Sequence, residues 1–175
     1  MIIEQGSFRV AVMADAQGAT FESRADASEE VPAHASAVEV TRRAVVEFHR
    51  RVGGLPQRAL LGGTMTSSRG DRLTVEVRTS GQMALDQSPS YSGSFGHPLI
   101  PGLPDEFGAA VMAGLLGEAE NAGTLVVDRA AYDLVESSSA SFRTAAILLA
   151  VVLNLDPSDN AEASVRTKLE ELSVS

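Results

Sequence analysis

Two runs of strict alternation constrain this chain most. Phe8, Val10 and Val12 alternate with Arg9, Ala11 and Met13, and about 65 residues later Leu73, Val75 and Val77 alternate with Thr74, Glu76 and Arg78. A period of two puts one set on each face of a strand. Gln17-Gly18 follows the first run and Gly81-Gln82 the second. Each run is therefore expected to open a hairpin. "RALLGGTMT", "TLVVD" and "AYDLVE" read as three further short strands.

Between these runs the apolar period changes to that of a helix. A helix is expected over 36–51, with Val38, Val45, Phe48 and Val52 as its stripe. Ser36 and Glu39 have capping-box spacing, and Gly53, Gly54 and Pro56 would stop the chain. "RADASEEVPAH" before it reads as a loop. A second helix is expected from about Pro104 to Asn121, with Phe107, Val111 and Leu115 inward and Gly123 ending it. A third should begin at the serines 137–139 and carry Phe142, Ala145, Ala146, Leu149 and Leu153, ending at Asn154 and Pro157. The last, in "SDNAEASVRTKLEEL", has Ala161, Val165, Leu169 and Leu172 as an apolar edge that packs on the domain.

The two halves share a coarse order of hairpin, loop, helix and strand. A duplication would leave that order, and so would strand–helix alternation alone. One domain over 1–175 is expected, with a core at 70–155 and residues 1–69 as an N-terminal hairpin-helix extension or degenerate repeat.

Charge and composition exclude several functions. Fourteen Lys and Arg against 23 Asp and Glu leave a net charge of −9. Phosphate recognition needs clustered positive charge, so no DNA partner is expected. The chain has no cysteine, which removes thiol catalysis, disulfides and Cys-based zinc sites. The longest apolar run, Ala145 to Leu153, is too short to span a bilayer, which takes about 20 residues. The start "MIIEQGSFRV" has neither a basic nor a long apolar segment, so a cytoplasmic protein with no membrane partner is expected.

The stretch "YDLVESSSASFRTAA" could hold a catalytic serine, a phosphate cradle or a helix cap. Ser137 and Ser138 lie between a strand and an apolar helix, where a hydroxyl accepts a backbone N–H. No G-x-S-x-G elbow accompanies them. They are expected to be structural caps, like Ser36. "GGTMTSSRG" lacks the GK[ST] ending of a phosphate loop. The three histidines, His34, His49 and His97, have no partner at metal-ligand spacing, so no metal and no cofactor are expected. His97, in the hydroxyl-rich loop "SPSYSGSFGHP", is the one histidine with a candidate binding or catalytic role.

Two segments together resemble domain IV of translation elongation factor G. In "IPGLPDEFGAAVMAGLLGEAENAG" the family's entry helix is matched by Pro104, Glu106, Phe107 in the usual Tyr place, Ala110, Val111 and Gly114. In the second segment Tyr132, Val135, Ser137, Ser138 and Phe142 match, with Glu136 where Asp is usual. The resemblance covers about 55 residues. Asp133 stands in the place of the family's tip histidine and Ser139 in that of a Glu, and the stretch between Gly123 and Tyr132 is about ten residues shorter. No GTPase domain is present in the sequence.

The resemblance implies the ribosomal-protein-five domain-two-like fold. That is an α+β two-layer sandwich: a mostly antiparallel sheet with helices on one face and a left-handed βαβ crossover. It implies a non-catalytic binding module with a ribosomal or translation-related partner, and Tyr132, Asp133 and His97 as tip-loop candidates. Two other readings stay open: a small-molecule enzyme on the same fold, and an interaction protein that forms a homodimer.

Overall fold

The computed structural model describes residues 1–36, 38–156 and 158–174, and the side chain of Val52 is not described. Pro157, expected to help end the third helix, lies outside these residues. In chain order the elements are β1 (Ile2–Gln5), β2 (Phe8–Met13), β3 (Ala25–Pro32), β4 (Thr41–Val52), β5 (Leu55–Ser67), β6 (Arg72–Thr79), β7 (Ile100–Pro101), α1 (Asp105–Gly117), β8 (Gly123–Tyr132), α2 (Ser139–Asn154) and α3 (Ala161–Val174). The strands form one mixed sheet in the order β1-β2-β4-β5-β8-β6-β3, with β7 on the end of β8. Among the strands of the described residues only β6 and β8 run parallel, and the chain between them carries β7 and α1. The architecture is α+β, as the sequence suggests. Residues 1–69 are no appendage: β4 and β5 sit at the centre of the sheet.

The largest correction concerns 36–51. Residues Thr41–Val52 form a strand, not a helix. Ala44, Val46 and Phe48 face the helices, while Val45 joins Leu60, Leu99 and Ala131 on the opposite face. A strand buried on both faces reads as a continuous apolar run, and its period of two disappears. Ser36 therefore has no helix to cap, and its hydroxyl donates to the Val38 carbonyl at 2.7 Å. Gly53 and Gly54, at φ +58° and +88°, form the two-residue turn of the β4–β5 hairpin.

Three smaller expectations also change. β2 pairs backward with β1 instead of forward across Gln17-Gly18. "ADASEEVP", expected as loop, is an edge strand held mainly by backbone bonds to β6, and its exposed side chains leave no apolar pattern to detect. "TLVVD" and the first two residues of "AYDLVE" belong to one strand, β8, while Leu134, Val135 and Glu136 form a turn.

A bulge at Asp128 shapes β8. Val127 pairs with Gly63 and Arg129 with Gly62, so Asp128 is the extra residue. The side-chain parity flips there, so Leu125 and Val127 before it and Ala130 and Tyr132 after it all face the helices. On that face Phe107 of α1 stacks on Phe142 of α2, with ring centroids 5.0 Å apart. Val165 and Leu169 of α3 are fully buried against the same core, so its apolar edge is used internally. Among the described residues no helix is long and apolar enough to cross a membrane.

Candidate functional site

One end of the sheet gathers the β4–β5 turn, the end of β8 and the long loop between β6 and β7. Two buried charges organise it. Glu47 of β4 and Arg58 of β5 point away from the helices and are fully buried. Arg58 donates from Nε and Nη2 to Glu47 Oε1 at 2.9 and 2.7 Å. The backbone N–H groups of Ser94 and Phe95 also donate to the Glu47 carboxylate. The remaining arm of Arg58, Nη1, donates to the His97 carbonyl at 2.6 Å. The loop backbone thus lies directly on the ion pair. A Cβ on Gly93 would sit 2.6 Å from Glu47 Oε2, and Gly96 turns at φ +64°.

The Arg58 main chain holds a second segment. Its N–H donates to the Glu136 carbonyl at 2.9 Å, and its carbonyl accepts from Ser137 Oγ at 2.7 Å. Asp133 closes the turn that leads there. Its Oδ1 accepts the N–H groups of Val135 and Glu136 at 2.8 and 2.9 Å, and its own N–H donates to Ser137 Oγ at 2.9 Å. A single arginine therefore fixes both the loop carrying His97 and the turn carrying Asp133 and Glu136. Buried ion pairs add little net stability, because desolvation offsets their attraction. What this one supplies is position.

The two held segments meet in a cluster. His97 Nε2 lies 3.0 Å from Asp133 Oδ2. One ligand atom each from His97, Asp133 and Glu136 lies within 4.8 Å of the others. Burial would raise the Asp133 pKa, but the two backbone N–H groups and His97 outweigh it and hold the carboxyl below its usual range. The Glu136 carboxylate is half-buried and makes no hydrogen bond or ion pair among the described residues. Beside the cluster, Phe95 packs under the Arg9 guanidinium at 4.5 Å and next to His49 at 6.1 Å. Burial pushes the His49 pKa down, helped by Arg58, Arg9 and Arg51 and opposed by Glu136.

The structure brings together two of the three expected tip residues. His97 and Asp133, 36 residues apart, are hydrogen-bonded. Tyr132 is not on the surface: its ring is buried in the core, and its hydroxyl accepts the Ala84 N–H at 2.9 Å. The exposed neighbours are Leu134 and Val135, the latter 85% exposed. Ser138 is the N-cap of α2, in a reciprocal box with Ser141. Ser137 is no cap: its hydroxyl links the Asp133 N–H to the Arg58 carbonyl. That donation commits its proton, so it is no nucleophile in this geometry. His34 is exposed at the opposite end of the sheet, bridged to Asn121 just before β8.

Sequence reading missed Glu47, Arg58 and Glu136. The available signal was a charge inside the apolar run "AVVEF" and another immediately before "ALL". A charge buried within a strand needs an opposite charge nearby. Comparison with protein-family models, curated proteins and solved structures finds no match.

Proposed function

We propose that this chain is a non-catalytic binding module similar to domain IV of elongation factor G, with a ribosomal or translation-related partner. One observation carries the reading. The two segments of the resemblance fold into a single unit: α1 enters β8, β8 ends at the Asp133 turn, and α2 returns to stack Phe142 on Phe107. On this reading the finer fold is ribosomal-protein-five domain-two-like, with its left-handed crossover in β6–α1–β8. The contact end is the Asp133 turn, where Leu134 and Val135 stand exposed beside His97. Exposed apolar side chains on a braced turn can enter a partner's surface with little ordering cost.

Sedimentation with ribosomes at low and moderate salt tests this. Co-migration at both salts, lost in Val135→Asp, is the expected result. No co-migration of the wild-type chain at either salt would sink it.

His97 and Asp133 also favour a second reading, a small-molecule enzyme on the same fold. An imidazole oriented by a carboxylate is the arrangement of a general base. Ser137 cannot serve it as a nucleophile, so water or a substrate hydroxyl would have to. Hydrolysis of simple phosphate or carboxylate esters, abolished by His97→Ala, would favour this reading. Turnover that His97→Ala leaves intact would remove it.

A further inference from the structure

The geometry points to a divalent transition-metal site of the zinc class, formed by His97, Asp133 and Glu136. This inference does not rest on the identity of any partner. His97 has no partner at metal-motif spacing, since Asp133 is 36 residues away, so the expectation of no metal followed from the histidines in the sequence. The fold supplies the set from two separate segments.

Three features fit a cation better than a simple surface ion pair. The first is spacing. Zinc takes imidazole nitrogen and carboxylate oxygen at about 2.0–2.2 Å, which puts tetrahedral ligand atoms about 3.4 Å apart. The 3.0 Å separation of His97 Nε2 and Asp133 Oδ2 needs only a few tenths of an ångström of widening, and the Glu136 oxygen, within 4.8 Å of both, has to swing inward. The second is orientation. Both N–H bonds to Asp133 fall on Oδ1, leaving Oδ2 turned toward His97. Metal-ligating carboxylates are commonly oriented by such outer hydrogen bonds. The main chain of His97, though not its exposed ring, is held by Arg58 through the carbonyl.

The third feature is charge. The half-buried Glu136 carboxylate stands beside a second carboxylate with no cation of its own among the described residues. Two carboxylates and one neutral imidazole offset the charge of a divalent ion. For binding, the imidazole presents the Nε2 lone pair and carries its proton on Nδ1. One nitrogen and two oxygen ligands suit zinc or its first-row neighbours better than calcium, which takes six to eight oxygens. Three protein ligands leave a position for water or a bound group.

The test uses the full chain with Zn²⁺ in calorimetry and Co²⁺ in visible absorption. One equivalent of Zn²⁺ is expected at micromolar affinity, with Co²⁺ giving d–d bands of low coordination number. His97→Ala and Glu136→Gln should each weaken binding by at least about tenfold. His34→Ala should leave it unchanged. Zn²⁺ should raise the thermal midpoint of the wild type but not of His97→Ala. Absence of stoichiometric binding would overturn the proposal. So would binding that either His97→Ala or Glu136→Gln leaves within about twofold of wild type.

Discussion

The two faces of the sheet are built on different physics. The helix face is apolar: Val46, Leu61, Val75 and Val127 meet Phe107, Phe142, Leu149 and Leu169. The other face is covered mostly by loops and carries buried or half-buried charge. Glu47 and Arg58 lie at one end of it, and Arg43, Asp128, Arg129 and Asp15 form a second network further along. Apolar burial is non-directional, so many sequences could satisfy the first face. Ion pairs are directional and costly to leave half-made. The first face therefore sets stability, while the second sets where loop residues stand.

Breaking each face should look different. Phe142→Ala should cost about 4 kcal/mol in denaturant unfolding and leave the loop end intact, because it removes a fully buried ring. Arg58→Met should cost about 3 kcal/mol, because it strands a buried Glu47 carboxylate. The double change Glu47→Leu with Arg58→Met separates stability from position. It should recover most of that loss, yet speed hydrogen exchange at Ser94 and Phe95, whose N–H groups lose their acceptor. Full recovery with unchanged exchange would contradict a positioning role.

The smallest effect is in pH, and its sign differs between the faces. Burial would raise the Asp15 pKa, but the Ala16 N–H, Arg129 and Arg43 outweigh it and hold it below 3.8. Its unfolded-state value is the higher one, so its contribution is present above about 3.8 and lost as pH falls further. On the helix side, hydrogen bonding to Glu171 and then Glu118 raises Lys168 above 10.5 against burial. Its contribution is present below 10.5 and lost as pH rises through the folded value. Asp15→Asn should flatten only the acid limb of a stability–pH curve, and Lys168→Met only the alkaline limb.

Legibility in sequence follows the same division. The three helices and the alternating strands β2 and β6 could be read because each has one wet face, and the apolar period survives. β4 could not, since both its faces are covered. β3 could not, since almost all its side chains are exposed and it is held mainly by its backbone ladder to β6. At the site, His97 stood out in its loop and Asp133 stood out as a departure from a family pattern. Their meeting across 36 residues is tertiary, and so is the dependence of both on Arg58. No local pattern encodes either.

The place of β8 between β5 and β6 bears on the order of assembly. β1–β2 and β4–β5 are local hairpins that can close as soon as their residues exist. β5 and β6 are neighbours in the chain, yet β6 completes its pairing only when Val127 is available and β5 only when Ala131 is. During synthesis both inner strands hold open edges while α1 and the long loop before it are still being made. Non-local pairing of this kind slows folding, and unpaired edges recruit other chains. The nascent protein is therefore most exposed to misassociation between the completion of β6 and the arrival of β8.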